Sequence, residues 1–365
     1  MRPRGSGYIT GEEGGKVRKI RQAGIFTLAV VLMFATSAVA LEKMTYSMGW
    51  LIYGRDLGWL VARDKGYYKA EGLDVNIVRG YGGSDTAKKL GAGSYEIAGV
   101  VAVSVIFGRL AGVPLKIIGM QHDKAPFVIR TVEGRGINRP KDIEGRKFGT
   151  PAGDATWVNM PAFARINGID LKKVKVINTS PSSRGPALIA GAFDASTGFI
   201  TEYPFLSRAA AKKGLKIKEF LLADYGLEAY AFGPATTGKM IKERGDVVRK
   251  FMRASVKGFA AAIRNPKEGL DFLLKQEPSH NRQIQKEVWF IALTTTLTPD
   301  QKRLGIFRMT DAKWKKTRGM IAKVKPKAAK IPLSDLYTNE FLPKTPVPEF
   351  PQEMKDYLKR VGRPL

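Results

Sequence analysis

The chain has 365 residues, 44% of them hydrophobic, and carries 61 Lys and Arg against 33 Asp and Glu, a formal net charge of +28. That apolar share supports sizeable cores, and the absence of cysteine excludes a disulfide framework and a thiol for lipid attachment. So basic a chain can attract nucleic acid, anionic lipid or an anionic solute, but it has no zinc-finger spacing and no aromatic ribonucleoprotein motif, which sets nucleic acid aside.

Arg18, Lys19 and Arg21 precede an apolar run over 25–35, and Ala38, Val39 and Ala40 supply the small residues of a cleavage site. This predicts a signal peptide over 1–40, cut after Ala40, and a protein exported to the periplasm. The run is shorter than the roughly 20 apolar residues of a membrane span. Cleavage removes six basic and two acidic residues and leaves +24. The 325 residues that remain suffice for two domains of about 100–200 residues each.

From there the hydrophobic period alternates between that of a strand and that of a helix. Strands are predicted at 45–49, 74–78, 96–100 and 115–120, separated by helices. Leu57, Leu60 and Val61 share a helical face, Gly66 stands where that helix ends, and Leu73, Val75 and Ile77 alternate. A second series of strands follows at 127–131, 147–150, 174–178, 195–200 and 217–222. Its helices, around 162–167, 186–190 and 204–213, are followed by Gly168, Gly191 and Gly214. Such alternation predicts mainly parallel sheets covered by helices. Over 246–264, Val247, Phe251, Ser255, Phe259 and Ile263 form one row of an amphipathic helix, which Pro266 stops. Four prolines, Pro343, Pro346, Pro348 and Pro351, lead into a tail that is either strapped down or loose.

Five fragments carry a family resemblance: GYYKAEGLDV from Gly66, GAGSYEIAGV from Gly91, GINRPKDIEGRKFGT from Gly136, ALIAGAFDA from Ala187 and LYTNEFLP from Leu336. The chain resembles the substrate-binding proteins of ABC importers for nitrate, sulfonates, taurine and thiamine-pyrimidine precursors. The resemblance implies a type II periplasmic-binding-protein fold, with two α/β lobes, a double-crossover hinge and a central ligand cleft. It divides the chain into a first lobe at 41–125, a second at 126–228, a helical return to the first at 229–345 and a tail at 346–365. The crossings fall near 121–126 and 227–232. It also implies the partners, a membrane permease with its ATPase, for a protein that is itself a monomer and not membrane-spanning. Pyrimidine synthases share the fold, but the family implies a cysteine-rich motif for them and this chain has no cysteine.

In open α/β sheets ligands settle beyond the carboxyl ends of strands, so the candidate residues lie in those loops. Trp50 and Tyr53 can stack on a flat ring and Arg55 can pair with an anionic group, although Trp50 also suits a core. Gly83 and Ser84 open a helix whose free amides suit an oxygen. The glycines there do not complete a dinucleotide fingerprint, because Asp85 stands at the third position. His122 lies at the first crossing. Asp154, Thr156, Ser183, Glu202 and Tyr203 come from the second lobe, where helix capping, a turn and a solvated carboxylate are the competing roles. The two histidines are too scattered for a metal site, and no cofactor or acid–base constellation emerges. The expectation is a non-enzymatic binder of a small organic solute. A heteroaromatic such as a thiamine-pyrimidine precursor is favoured over a sulfonate, nitrate or aromatic carboxylate.

Overall fold

The computed structural model describes residues 40–363, so the signal-peptide reading, Ala40 apart, lies outside the described residues. Two five-stranded sheets follow from Leu41 onward. The first contains β1 (Glu42–Ser47), β2 (Leu73–Val78), β3 (Ile97–Val101), β4 (Leu115–Ile117) and a late arrival, β10 (Phe232–Thr237). The second contains β5 (Phe127–Val132), β6 (Lys147–Thr150), β7 (Lys175–Asn178), β8 (Ala195–Phe199) and β9 (Ile217–Leu221).

Both sheets share one plan, β2-β1-β3-β10-β4 and β7-β6-β8-β5-β9. Three strands at one side pair in parallel, and the fourth in the order runs against both neighbours. The inverted strand is the one by which the chain enters the sheet after crossing, β5 on the way out and β10 on the way back. The crossings touch: the His122 amide donates to the Phe232 carbonyl at 2.8 Å, and the Ala231 amide to the His122 carbonyl at 3.3 Å.

β10 is a difference from the sequence reading, which ended the crossing at 232 and expected no strand beyond. Pro234 has no N–H to give a ladder and argues against a central strand. It is tolerated because its carbonyl still accepts from the Ile118 amide at 2.9 Å, and its register partner on β3 is Gly99.

Burial explains the strands that were legible. In β2, Leu73, Val75 and Ile77 are buried while Asp74 and Asn76 are exposed, the alternation of a half-covered edge. All five residues of β3 are buried, as in a strand covered on both faces.

Eight helices position the site: α1 (Leu57–Asp64), α2 (Gly83–Gly91), α3 (Ala155–Asn167), α4 (Arg184–Ala190), α5 (Tyr203–Ala211), α6 (Gly238–Arg264), α7 (Arg282–Thr296) and α8 (Gln352–Arg360). Gly168 and Gly191 cap α3 and α4 in the left-handed conformation. α3 starts earlier than its periodicity indicates, because the Asp154 carboxylate caps it and Pro161 is absorbed inside. α6 likewise begins at a Thr237 cap and breaks at Arg244 before the predicted amphipathic stretch.

α1 packs closely along α6. A Cβ added at Gly258 would collide with the Gly58 carbonyl and with Ala62, so the bare glycine sets this approach. Trp59 of α1 is stacked between Phe251 and Phe307, at 5.9 and 5.6 Å, with Phe259 edge-on at 5.0 Å. The tail is strapped down. α8 buries Met354, Tyr357 and Leu358, and beyond it Arg363 reaches Glu219 of β9 at 3.3 Å. No described helix is long and apolar enough to cross a membrane.

Gly258→Ala should therefore destabilise the protein by about 1–3 kcal/mol through overpacking against backbone. Gly319→Ala, where an added Cβ meets nothing within 4 Å in a helix, should leave stability unchanged or raise it by up to about 1 kcal/mol. Denaturant midpoints of the two variants check the contrast.

Candidate ligand cleft

The two sheets turn their carboxyl-end loops toward one cleft. β1 supplies Gly49, Trp50, Tyr53 and Arg55, β2 supplies Gly83, and β3 ends on Val101. From the other side, Asp154 and Ala155 follow β6, Arg184 follows β7, and Phe199 and Glu202 end β8, while Phe232 closes the back at the second crossing.

The loop after β1 is held from several directions. Gly49 has a φ of +74°, and the Gly80 and Gly82 amides bond the Trp50 and Gly49 carbonyls at 2.9 and 3.1 Å. The Gly54 amide donates to Gln285 Oε1 of α7 at 2.6 Å, and Gln121 Nε2 donates to the Arg55 carbonyl at 3.2 Å. Gln121 is in turn fixed by the Trp59 indole N–H at 3.2 Å. The aromatic floor around α1 thus reaches the backbone of the cleft through one amide side chain.

This anchoring puts the Arg55 side chain, only 2% exposed, at the bottom of the cleft. Its guanidinium lies 4.8 Å from the Tyr53 ring centre, 5.0 Å from Phe232 and 5.6 Å from Phe199. Its charge is only loosely matched. Asp56 Oδ1 is 3.4 Å from Nε without hydrogen-bond geometry, and both Nε and Nη2 are buried without an acceptor. Burial pushes the Asp56 carboxyl up to about 6, against the pull of Arg55. Burial likewise pushes the Tyr53 phenol up to about 12, and its hydroxyl shares a 2.9 Å hydrogen bond with Thr201 Oγ1 from the opposite lobe.

The opposite wall is an ion network with its partners matched. Arg184, 3% exposed, donates to Asp154 at 2.8 Å and to both Glu202 oxygens at 2.7 and 2.8 Å. Behind it the fully buried Arg130 bonds Glu202 at 2.9 Å and Glu219 at 2.7 Å. Burial alone would raise the Glu202 carboxyl, but Arg184 and Arg130 hold it below the usual carboxylate range.

The structure gathers Trp50, Tyr53, Arg55, Gly83, Asp154 and Glu202 of the sequence-derived candidates around this cleft. Ser84 is not part of the lining, and its side chain is 3.4 Å from where a Cβ on Gly153 would lie. Four others lie away from the lining. Thr156 is buried and donates to the Gly198 carbonyl at 2.9 Å, and Ser183 is exposed beside Ser180. Tyr203 packs against the Val132 and Leu188 cluster under the Arg363 guanidinium. His122 is fully buried at the hinge, its Nδ1 2.8 Å from Thr295 Oγ1.

Sequence reasoning passed over Arg184, Arg130, Phe199 and Phe232. Arg184 sits in a serine-rich turn where an exposed cation is the ordinary expectation, and only Asp154 and Glu202, already singled out, hinted at a buried partner. Among the described residues no group of three His, Asp or Glu side chains is arranged to hold a metal ion.

The family model described as "NMT1/THI5 like" matches residues 56–269. The chain belongs to this family. It is 25% identical over 300 residues to a formylaminopyrimidine-binding protein of Halalkalibacterium halodurans, covering 81% of this chain and 89% of that one. It is 23% identical over 305 residues to a 4-amino-5-hydroxymethyl-2-methylpyrimidine phosphate synthase of Legionella pneumophila, covering 84% and 94%. In structure it is similar to the alkanesulfonate-binding protein SsuA of Xanthomonas axonopodis pv. citri bound to MOPS. The TM-score is 0.62 at 14% identity, over 82% of this chain and 99% of that one. This likeness places the chain in the periplasmic-binding-protein fold.

His122 generates a pH prediction. Burial, and secondarily Arg55, lower its imidazole to about 3, so the folded protein resists the proton that an unfolded chain accepts near 6.5. Its stabilising contribution is complete above pH 6.5 and is lost as pH falls toward 3. Asp56, whose carboxyl is raised, works in the opposite direction between about 6 and 4. Relative to wild type, His122→Gln should gain about 3 kcal/mol of stability on going from pH 7 to pH 4. Chemical denaturation at the two pH values measures this.

Proposed function

We propose that this protein is the periplasmic substrate-binding component of an ABC importer and captures one small organic solute in the cleft by hinge closure. The observation that carries the reading is the buried Arg55 at the junction of two lobes, ringed by Tyr53, Phe199 and Phe232 and facing a matched ion network. Such a site is built to hold a guest. It contains no nucleophile and base within reach of one another, which supports binding over turnover.

For the solute, a flat heteroaromatic related to pyrimidine precursors of thiamine fits best. Trp50 offers a half-buried ring, and the formylaminopyrimidine-binding relative is named for such a compound. Charge points the same way. The charged lining residues are two cations, Arg55 and Arg184, and two carboxylates, Asp154 and Glu202, a balance that suits a ring with polar edges better than a bare inorganic anion. Solute binding favours the closed arrangement, whose outer surface then docks on the permease, and the importer's ATPase drives release and uptake.

A thermal-shift panel with a formylaminopyrimidine, whose formyl group carries a carbonyl oxygen, taurine, nitrate and benzoate tests the assignment. The pyrimidine should raise the melting temperature most, and stabilisation by taurine or nitrate alone would reject the heteroaromatic class. Trp50→Ala should weaken pyrimidine binding by about 1–3 kcal/mol, by analogy with base stacking on aromatic side chains. Calorimetric titration reads that loss directly.

Closure is tested away from the cleft. Arg208 of the second lobe pairs with Glu287 of α7 at 2.6 Å, and the Tyr357 hydroxyl joins at 3.3 Å. Arg208 is 42% exposed, so the pair is worth no more than about 1 kcal/mol. Glu287→Gln should lower solute affinity a few-fold and enlarge the radius measured by solution scattering with solute present.

A further inference from the structure

The cleft has two compartments of unlike size and chemistry. The inner one, of about 30 Å³, contains Arg55 and its three aromatic neighbours. The outer one, of about 450 Å³, is walled by Tyr81, Asn178, Thr179 and Ser180. Trp50 and Asp154 belong to both. Sites for organic ligands run to about 300–1,000 Å³, so the outer compartment has room for a ring. The inner one has room for a group about the size of a water molecule.

Hydrogen-bond accounting sets the polarity of the inner recess. Asp154 Oδ1 accepts from the Thr156 and Trp157 amides, and its Oδ2 accepts from Arg184. Both Glu202 oxygens are engaged by Arg184, and one also by Arg130. These acceptors are occupied. Arg55 is the charged lining residue with donors left over: Nε and Nη2 are sealed, Nε beside the equally unmatched Asp56 Oδ1, and Nη1, the guanidinium nitrogen not sealed, makes no hydrogen bond among the described residues. A buried N–H without an acceptor is costly, and a guest that brings one recovers that cost.

Resting on the heteroaromatic reading above, we propose that the inner recess reads a single planar acceptor, a carbonyl or carboxylate oxygen. This group projects from a solute whose ring lies against Trp50 in the outer compartment. Arg55 is then a specificity-determining residue, and its planar fork matches an sp² oxygen. A tetrahedral sulfonate carries three oxygens around sulfur and is too broad for a recess of this volume.

Four pyridines with one ring and different substituents at the same position separate the terms: nicotinamide, nicotinate, 3-methylpyridine and pyridine-3-sulfonate. Titration calorimetry on the protein should show nicotinamide and nicotinate binding about 10- to 100-fold tighter than 3-methylpyridine. Pyridine-3-sulfonate should bind no tighter than 3-methylpyridine. Arg55→Lys keeps the charge and loses the fork, and should remove the advantage of nicotinamide. Because the wild-type comparison stands by itself, a variant that fails to fold does not rescue the idea. Equal affinities for nicotinamide and 3-methylpyridine, or a preference for the sulfonate, would overturn the acceptor assignment while leaving ring binding intact. Binding of none of the four would reject the ring reading together with the acceptor assignment.

Discussion

Everything in the cleft depends on keeping a guanidinium out of water without matching it fully. A buried cation is ordinarily neutralised by a well-formed partner, because desolvation otherwise costs several kcal/mol. Arg55 has Asp56 beside it in poor geometry and three aromatic rings around it, an arrangement that the rest of the protein must hold in place. The loop is fastened by Gln285 and Gln121, Gln121 is fastened by Trp59, and Trp59 is locked among Phe251, Phe259 and Phe307. Stability built in the helical layer of the first lobe is thereby spent at the cleft. Sites of this kind, where local preferences are violated, are where function is expected.

The second wall follows a different rule. Arg184 and Arg130 are buried as deeply, but each has two carboxylate partners, so the wall is rigid and its hydrogen bonds are closed among themselves. One side of the cleft is preorganised and complete; the other is preorganised and incomplete. On the acceptor assignment proposed above, the asymmetry gives a guest a direction, with its polar end toward the first lobe.

How much of this could be read from residues alone varied with the physics involved. Period-two and period-3.6 patterns found nine of the ten strands; in eight of them burial on one or both faces leaves a direct trace in residue order, whereas β7 is exposed along its whole length. β10 escaped because Pro234 and Gly233 contradict strand chemistry, and only the neighbouring strands make them acceptable. Trp50, Tyr53 and Arg55 were legible from loop position. Arg184 and Phe199 were not, since a cation in a turn and an aromatic at a strand end are unremarkable until chain segments far apart in sequence meet. His122 shows the converse: a histidine at the crossing invites a binding role, whereas its burial against Thr295 makes it part of the hinge.

The way the chain ends has a practical side. After α8 has seated Met354, Tyr357 and Leu358 on the first lobe, Arg363 extends to Glu219 in the second, so the last described residues bridge the two lobes. Anything appended there, such as a purification handle or a fluorescent fusion, would load the joint itself rather than hang from a neutral end. A label on exposed Leu41, just ahead of β1, would leave that bridge untouched.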